Sequence, residues 1–225
     1  MELLQIREKE IFETLKKIKR FNFVIIGGYA VNAYTLPRFS IDCDIVVSGK
    51  ELFNELKKLD YKEVKSNKIN LPYHGEFIRY EKIIEKNFAS SIDIFINNVI
   101  DRETKAVFDA KWIFKNSSFR ILRGKTIAEE LRLKIINIDS LIIMKFISCR
   151  NTDIRDIFML MPQAKNQKSI KNEINKTCNF NERFNKIKEL IISKKFRDNL
   201  QGVYGSIEDK LFEKYKKTVL NLEYI

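Results

Sequence analysis

The hydrophobic pattern of the chain changes at about residue 137. Before this point, short apolar runs typical of strands are mixed with stretches in which apolar residues recur every three or four positions, as in amphipathic helices. After it, only the helical pattern remains. This order predicts an α/β domain over residues 1–137, followed by a C-terminal helical bundle domain over residues 138–225.

The same pattern gives bounds for the individual elements. The predicted strands are Phe23–Ile26, Asp42–Val47, Tyr61–Lys65, Glu76–Ile84, Ser91–Ile96 and, at a sheet edge, Phe119–Leu122. The predicted helices are Met1–Arg20, Tyr29–Leu36, Glu51–Leu59, Asp139–Cys149, Asp153–Met161, Ser169–Thr177, Glu182–Lys194 and Ile207–Leu220.

Two glycines and two alternating aspartates carry the first chemical signal. Gly27 and Gly28 end an apolar run, and Asp42 and Asp44 follow after a spacer of thirteen residues. Side chains alternate between the faces of a strand, so both aspartates are expected on one face. Adjacent carboxylates repel each other unless a cation lies between them, and such oxygen ligands suit Mg²⁺. The glycines supply a tight turn and exposed backbone N–H groups at a helix start, which suits an anion.

A third aspartate, Asp93, lies in a later predicted strand between Ile92 and Ile94. Aspartate is depleted in strands, so its presence there requires a reason. One interpretation places Asp93 beside Asp42 and Asp44 as a third metal ligand. The alternative is a solvent-facing aspartate on a sheet with one exposed face.

The charge of the chain favours an anionic partner. The formal net charge is +12, and residues 165–217 carry 14 Lys and Arg against 7 Asp and Glu. This distribution predicts RNA binding through basic C-terminal helices, with a lysine-rich solvated surface as the alternative.

Three further features restrict the class of protein. The only histidine, His74, excludes a His-rich zinc site. The three widely spaced cysteines indicate free thiols in a reducing, cytoplasmic protein. No apolar run reaches the length of about 18 residues that a membrane span needs, so no membrane association is expected.

Taken together, the motifs resemble those of the DNA-polymerase-β-like nucleotidyltransferase superfamily. The residues that carry the resemblance are Gly27-Gly28, Arg38-x-Ser40-x-Asp42-x-Asp44 and Asp93. The form of the second motif is most similar to that of AbiEii-type nucleotidyltransferases of abortive-infection and toxin–antitoxin systems. The resemblance covers roughly residues 21–161. It implies a mixed sheet with flanking helices, followed by a helical domain.

The resemblance also implies an activity. A nucleoside monophosphate would pass from an NTP to an acceptor hydroxyl with release of pyrophosphate. Asp42, Asp44 and Asp93 would be the catalytic residues and the ligands of two Mg²⁺ ions. Toxin-like relatives suggest the acceptor end of tRNA as the target and a cognate antitoxin as a partner. The residues expected to bind the nucleotide are Gly27, Gly28, Arg38, Ser40, Lys145, Arg150 and Asp156.

Lys145 and Arg150 have alternative roles. Lys145 lies in a predicted helix that is apolar on almost every side, so its ammonium group must reach water or meet an anion. That anion is either a triphosphate or a carboxylate, Asp153 or Asp156. Arg150 is suited either to phosphate or to the C-terminus of the preceding helix.

Ser40, Arg38 and Asp139 also have two interpretations each. Ser40 is suited to a phosphate oxygen or to a local turn bond with its own backbone. Arg38 is suited to phosphate or base, or to an ordinary surface position. Asp139 is expected to cap the start of its helix rather than to act in catalysis.

Other functions remain open at the level of sequence. They are nucleotidylation of a protein or of a small molecule such as an aminoglycoside, a catalytically silent nucleotide- or RNA-binding module, and a structural interaction protein. The net charge of +12 argues against an aminoglycoside acceptor. The presence of all three aspartates argues against a silent module.

Overall fold

The computed structural model describes residues 2–64, 73–85 and 88–225. The chain divides into two compact units. The first comprises Met1–Ala33, Pro37–Arg102 and Val107–Ile136, and the second comprises Tyr34–Leu36, Glu103–Ala106 and Asn137–Ile225. A mixed sheet lies in the first unit, and the described elements after Asn137 are helical. The fold class expected from the sequence is therefore confirmed, while independent domains divided at residue 137 stay a prediction.

Strands and helices are interleaved in the described part of the first unit. Its strands are β1 (Phe23–Ile25), β2 (Asp42–Val47), β3 (Lys62–Val64), β4 (Tyr73–Glu85), β5 (Phe88–Asp101), β6 (Val107–Asp109), β7 (Ser117–Leu122) and β8 (Leu131–Ile136). Its helices are α1 (Glu2–Ile18), α2 (Gly27–Val31), α3 (Glu51–Lys58) and α4 (Ala110–Lys115).

The described strands form one mixed sheet in the order β3–β4–β5–β2–β1–β8–β7, and β6 pairs with β5. At the centre, β2 runs parallel to β5 and antiparallel to β1. Every residue of β2 from Cys43 to Val47 is buried, so both faces of this strand are covered. Burial on both faces explains why the strand is almost continuously apolar except at its two aspartates.

Helix α1 packs along β5 and is fixed at two levels. Its apolar side chains recur at helical spacing, and Ile11, Leu15 and Ile18 are completely buried. Glu8 is also buried, and its carboxylate accepts hydrogen bonds from the backbone N–H groups of Lys125 and Thr126 at 2.6 and 2.8 Å. These bonds satisfy the buried charge and hold the segment that precedes β8.

The second unit has an aromatic core. Phe146 stacks on Phe180 with 5.1 Å between ring centroids, and Phe180 stacks on Phe184 at 5.4 Å. Among the described residues, no helix is both long enough and apolar enough to span a membrane. The helices of this unit are α5 (Ile138–Ser148), α6 (Asn151–Leu160), α7 (Gln167–Thr177), α8 (Phe180–Ile192), α9 (Lys194–Tyr204) and α10 (Asp209–Leu220).

The helix expected over Tyr29–Leu36 is wrong in its bounds, because α2 spans only Gly27–Val31. The reason lies in Asn32. Its side-chain amide donates to the carbonyl of Arg38 at 2.9 Å and accepts from the N–H of Arg38 at 3.1 Å. These two bonds favour a loop over another helical turn.

Four elements were not predicted: β6, α4, β8 and α9. In β8, the exposed Arg132 and the part-exposed Lys134 interrupt the apolar run, although burial alternates in the manner of a strand. In α9, the buried residues Phe196, Leu200 and Tyr204 recur every four positions, but most of the residues between them are charged or polar. Of the strand predicted over Tyr61–Lys65, Lys65 lies outside the described residues.

Candidate active site

The aspartates meet at the centre of the sheet. Asp44 on β2 pairs in register with Asp93 on β5, and Asp93 pairs in register with Arg79 on β4. Residues paired in this way point to the same face, so Asp44, Asp93 and Arg79 form a row across three strands. Asp42 lies two residues before Asp44 and shares this face.

Arg79 joins two of the carboxylates. Its Nε lies 2.7 Å from Oδ1 of Asp93, and its Nη2 lies 2.7 Å from Oδ2 of the same residue. Nη2 also lies 3.3 Å from Oδ2 of Asp42. The pair with Asp93 is the bidentate geometry in which charge-assisted hydrogen bonds are strongest. A guanidinium cation therefore stands between Asp42 and Asp93.

Burial and charge act on Asp93 in opposite directions. Its side chain is only 1% exposed, and this desolvation raises the pKa of the Asp93 carboxyl to about 6, although the hydrogen bonds from Arg79 lower it. The hydrogen bond to Asp93 in turn raises the pKa of Arg79 above its usual value.

Gly27 is the point at which the backbone meets the carboxylates. Its φ is +63°, in the left-handed region, and a Cβ atom here would overlap the carboxylate of Asp44. Both facts require glycine. Gly27 therefore lies directly against the second aspartate of the motif.

Gly28 is covered by the two polar residues that precede Asp42. A Cβ atom on Gly28 would overlap Oγ of Ser40 and would lie 3.2 Å from Nη2 of Arg38. The hydroxyl and the guanidinium therefore lie against this glycine, while Asn32 holds the backbone of Arg38. Glycine, hydroxyl and guanidinium together form a compact set of donors that suits a phosphate group.

The carboxylates supply the type of ligand that suits a hard divalent cation, but in this arrangement they do not surround a common position. Carboxylate oxygens are the ligands that Mg²⁺ prefers, and a cationic group already stands between two of them. Within residues 2–64, 73–85 and 88–225, no cluster of three or more potential ligands surrounds a common metal position. Nη2 of Arg79 instead contacts Asp42 and Asp93 at the same time.

Lys145, Arg150 and Asp156 lie in the second unit and take part in a buried network. Nζ of Lys145 lies 2.7 Å from Asp156 and 3.1 Å from Asp153. Asp156 also accepts a hydrogen bond of 2.6 Å from the Tyr204 hydroxyl. Of the two interpretations of Lys145, the structure shows the ion pair. Nucleotide binding by these residues stays a prediction.

Arg150 begins α6, where its side chain pairs with Asp153 through Nε at 2.7 Å. The preceding helix α5 has Cys149 as its C-cap residue, in a left-handed conformation. Burial raises the pKa of Asp153, but Lys145 and Arg150 outweigh burial, so the pKa lies below its usual value.

The expectation that Asp139 caps its helix is wrong. Asn137 occupies the cap position of α5, and Asp139 lies within the first turn. The carboxylate of Asp139 accepts hydrogen bonds from the backbone N–H groups of Lys165 and Asn166 at 2.8 and 3.1 Å. Asp139 therefore fixes the segment before α7.

Sequence reasoning missed Arg79 and Asn32. Arg79 faces Asp93 only because of the register of the β4–β5 hairpin, and no short turn motif in the sequence sets that register. Asn32 carried a weak signal in the sequence, as a polar residue between Val31 and Ala33. In the structure Asn32 is almost completely buried, so its side chain needs hydrogen-bond partners.

Comparison with known structures identifies the architecture. No protein-family model and no curated protein matches the sequence. MenT4, a nucleotidyltransferase toxin from Mycobacterium tuberculosis, matches with a TM-score of 0.58 and 12% sequence identity, over 99% of this chain and 85% of that chain. The chain has the nucleotidyltransferase fold. The fold implied by the glycine and aspartate motifs is thereby confirmed, and the narrower AbiEii-type resemblance is consistent with this neighbour.

Two further solved structures with similarity to this chain come from Helicobacter pylori. One, described as a proposed nucleotidyltransferase, has 14% identity and a TM-score of 0.49, over 100% of this chain and 93% of that chain. The other, JHP933, has 17% identity and a TM-score of 0.46, over 100% of this chain and 90% of that chain.

Proposed function

We propose that this protein is a Mg²⁺-dependent nucleotidyltransferase that transfers a nucleoside monophosphate from an NTP to an acceptor hydroxyl on RNA. One observation carries the proposal. Asp44 and Asp93 lie side by side on adjacent central strands, Asp42 shares their face, and a cation already stands between Asp42 and Asp93. Carboxylates on one face of neighbouring buried strands cost stability unless a cation neutralises them, and Mg²⁺ would take this role when the site is loaded.

The residues divide into two sets. Asp42, Asp44 and Asp93 would hold the metal, which when bound lowers the pKa of an attacking hydroxyl and neutralises triphosphate charge. The Ser40 hydroxyl and the Arg38 guanidinium, which lie against Gly28, would bind the phosphates. Helix α2 has only five residues, so no separate phosphate-binding role is assigned to its N-terminus.

The transfer itself is a substitution at phosphorus. The acceptor oxygen forms a bond to the α-phosphorus of the NTP, and the bond from that phosphorus to the bridging oxygen of the β-phosphate breaks. Pyrophosphate leaves with this bonding pair. The hydroxyl proton passes to a base, and we assign this role to the Asp93 carboxylate because it lies beside the other two aspartates.

Charge and exposed aromatic surface support RNA as the acceptor. The net charge is +12, and a surface pocket of about 220 Å³ in the first unit is lined by Lys19, Arg20 and Lys134 together with Phe119. Phe119 is 63% exposed. Cations beside an exposed ring are the features that bind single-stranded nucleic acid.

A toxin role with a cognate antitoxin forms part of the same proposal. The fold neighbour MenT4 is a nucleotidyltransferase toxin, and the sequence motifs resemble those of AbiEii-type proteins. On this basis, the target would be the acceptor end of tRNA. A protein that binds and inhibits this chain would be the antitoxin.

The test is incubation with each α-³²P-labelled NTP, Mg²⁺ and total tRNA. Wild-type protein should label tRNA with at least one NTP, and Asp42→Ala and Asp93→Asn should not, while their circular dichroism stays native. Asp198→Asn, an exposed aspartate in α9, is the matched control and should retain activity.

Each other outcome redirects the proposal. Label on protein alone would indicate protein nucleotidylation. Label on an added small molecule would indicate a small-molecule acceptor. NTP binding without any labelled product would indicate a silent module, and transfer by Asp42→Ala would remove Asp42 from the mechanism.

A further inference from the structure

Arg79 uses the oxygens that a metal would need. It contacts both carboxylate oxygens of Asp93 and one oxygen of Asp42. A guanidinium ion and Mg²⁺ are both cations and seek the same lone pairs, so the two cannot be held between Asp42 and Asp93 at full strength together.

The two partners differ in their access to solvent. The Asp93 side chain is 1% exposed and cannot leave the sheet, whereas the side chain of Arg79 is 17% exposed. Arginine has a long, flexible stem and can move its charged group toward water while the stem stays packed. Of the two, Arg79 is therefore the group that can move away.

We propose that Arg79 is a displaceable counter-ion, which neutralises Asp42 and Asp93 in the metal-free protein and must leave them when Mg²⁺ binds. This inference rests on the proposed function, because the aspartates are taken as the metal ligands. Arg79 is thus a positioning residue whose conformation sets the affinity for metal.

The consequence is a reduced apparent affinity for metal. If only a small fraction of molecules has Arg79 displaced, the observed dissociation constant rises by the inverse of that fraction. Metal brought in with a triphosphate has an advantage over free metal, because the triphosphate offers the released guanidinium a new anion. The protein would therefore bind Mg²⁺ weakly without nucleotide.

The experiment measures Mn²⁺ binding in the absence of nucleotide, by electron paramagnetic resonance of the free ion, with Mg²⁺ as competitor. Arg79→Gln should bind Mn²⁺ at least tenfold more tightly than wild type. Arg79→Lys should lie between the two, because one ammonium group cannot reproduce the bidentate pair. Arg123→Gln is the matched control, since Arg123 pairs with Glu130 at 2.7 Å on the surface, and should equal wild type.

Two results would overturn the inference. Equal Mn²⁺ affinity in wild type and Arg79→Gln, with loss of binding in Asp93→Asn, would leave the metal site in place but show that Arg79 does not compete for it. A gain in Arg79→Gln that survives in the Arg79→Gln/Asp93→Asn double variant would place the metal elsewhere.

A second measurement uses the intact side chain, in case Arg79→Gln does not fold. In the wild-type protein, the ¹⁵N-edited NMR signal of the Arg79 Nε–H group, assigned by its loss in Arg79→Lys, should shift or broaden as Mg²⁺ saturates the site. An unchanged signal at saturation would contradict displacement.

Failure of the proposed function is distinguishable from failure of the inference. If Mg²⁺ displaces Arg79 but the wild-type protein labels no acceptor, the displacement of Arg79 is supported and the transferase activity is refuted. If the wild-type protein labels tRNA but the Arg79 signal does not respond to Mg²⁺, the transferase activity is supported and the displacement of Arg79 is refuted.

Discussion

At Gly27, the backbone and the Asp44 carboxylate share a space that any side chain would fill. The left-handed φ of +63° and the overlap of a Cβ atom with Asp44 are independent reasons for glycine at this position. The neighbouring Gly28 has a negative φ and needs to be glycine only because Ser40 lies against it. The two glycines of one motif therefore serve different purposes.

Gly27→Ala tests the first reason. The left-handed conformation alone should cost about 1–2 kcal/mol of the free energy of unfolding, and displacement of Asp44 should add to this. Gly202→Ala is the matched control, since nothing lies within 4 Å of a Cβ atom there and Gly202 lies in α9. That control should stabilise the protein by up to about 1 kcal/mol. Urea denaturation measures both, and equal stability of Gly27→Ala and wild type would refute the argument.

Individual residues differ in how far the sequence predicts them. The shared face of Asp42 and Asp44 follows from strand alternation alone, and the structure agrees. The placement of Arg79 between carboxylates depends on a long-range register, which local patterns do not encode. The acidic residues of the candidate site can thus be predicted from the sequence, whereas the cation that neutralises them cannot.

On the scale of elements, α5 and α6 are joined by charge as well as by apolar packing. Lys145 in α5 reaches Asp153 and Asp156 in α6, and all three side chains are at least nine-tenths buried. Such a network stabilises the native state only while it is complete, because each member satisfies a buried charge.

Lys145→Met should therefore be strongly destabilising at neutral pH. Removal of one partner from a buried ion pair costs about 3–5 kcal/mol, because the remaining carboxylates are left without their cation. The control is Lys188→Met, which breaks a surface pair with Glu223 of 2.9 Å and should change the free energy of unfolding little. Similar losses in the two variants would show that the buried pair has no special role.

The pH dependence of the same variant has a definite sign. The folded pKa of Asp153 lies below its unfolded value of 3.8, so its ionised form contributes stability above that pH and loses it as the pH falls through the folded pKa. The difference in stability between wild type and Lys145→Met should therefore be large at pH 7 and shrink at acid pH. Denaturation curves from pH 7 down to pH 3 measure it.

Elements with an uninterrupted hydrophobic pattern were predicted well, whereas elements in which charged residues interrupt that pattern were not. The predicted strand Asp42–Val47 has the bounds of β2, because its central position makes it almost continuously apolar. The strand β8 was missed because Arg132 and Lys134 are tolerated on its less buried side. In α2, hydrogen bonds from Asn32 to Arg38 overrode the helical pattern.

On the scale of the whole molecule, the net charge of +12 must be met by an anion or by solvent. The described structure offers two kinds of basic surface. One is the set of exposed lysines on the helices of the second unit. The other is the pocket of the first unit, in which Lys19, Arg20 and Lys134 lie beside the exposed Phe119. This pocket combines positive charge with an exposed ring on which a base can stack.

The pocket predicts two different responses of tRNA binding to mutation. Phe119→Ala should weaken binding by about 1–3 kcal/mol at every salt concentration, because stacking is not ionic. Lys134→Ala should weaken binding mainly at low salt and make the slope of log affinity against log salt shallower by about 0.7 for each phosphate that is no longer neutralised. Lys111→Ala, at an exposed position of α4, should leave both quantities unchanged.

Fluorescence anisotropy with labelled tRNA between 50 and roughly 200 mM salt distinguishes these responses. Unchanged affinity and slope in both pocket variants would assign RNA binding to the basic helices of the second unit.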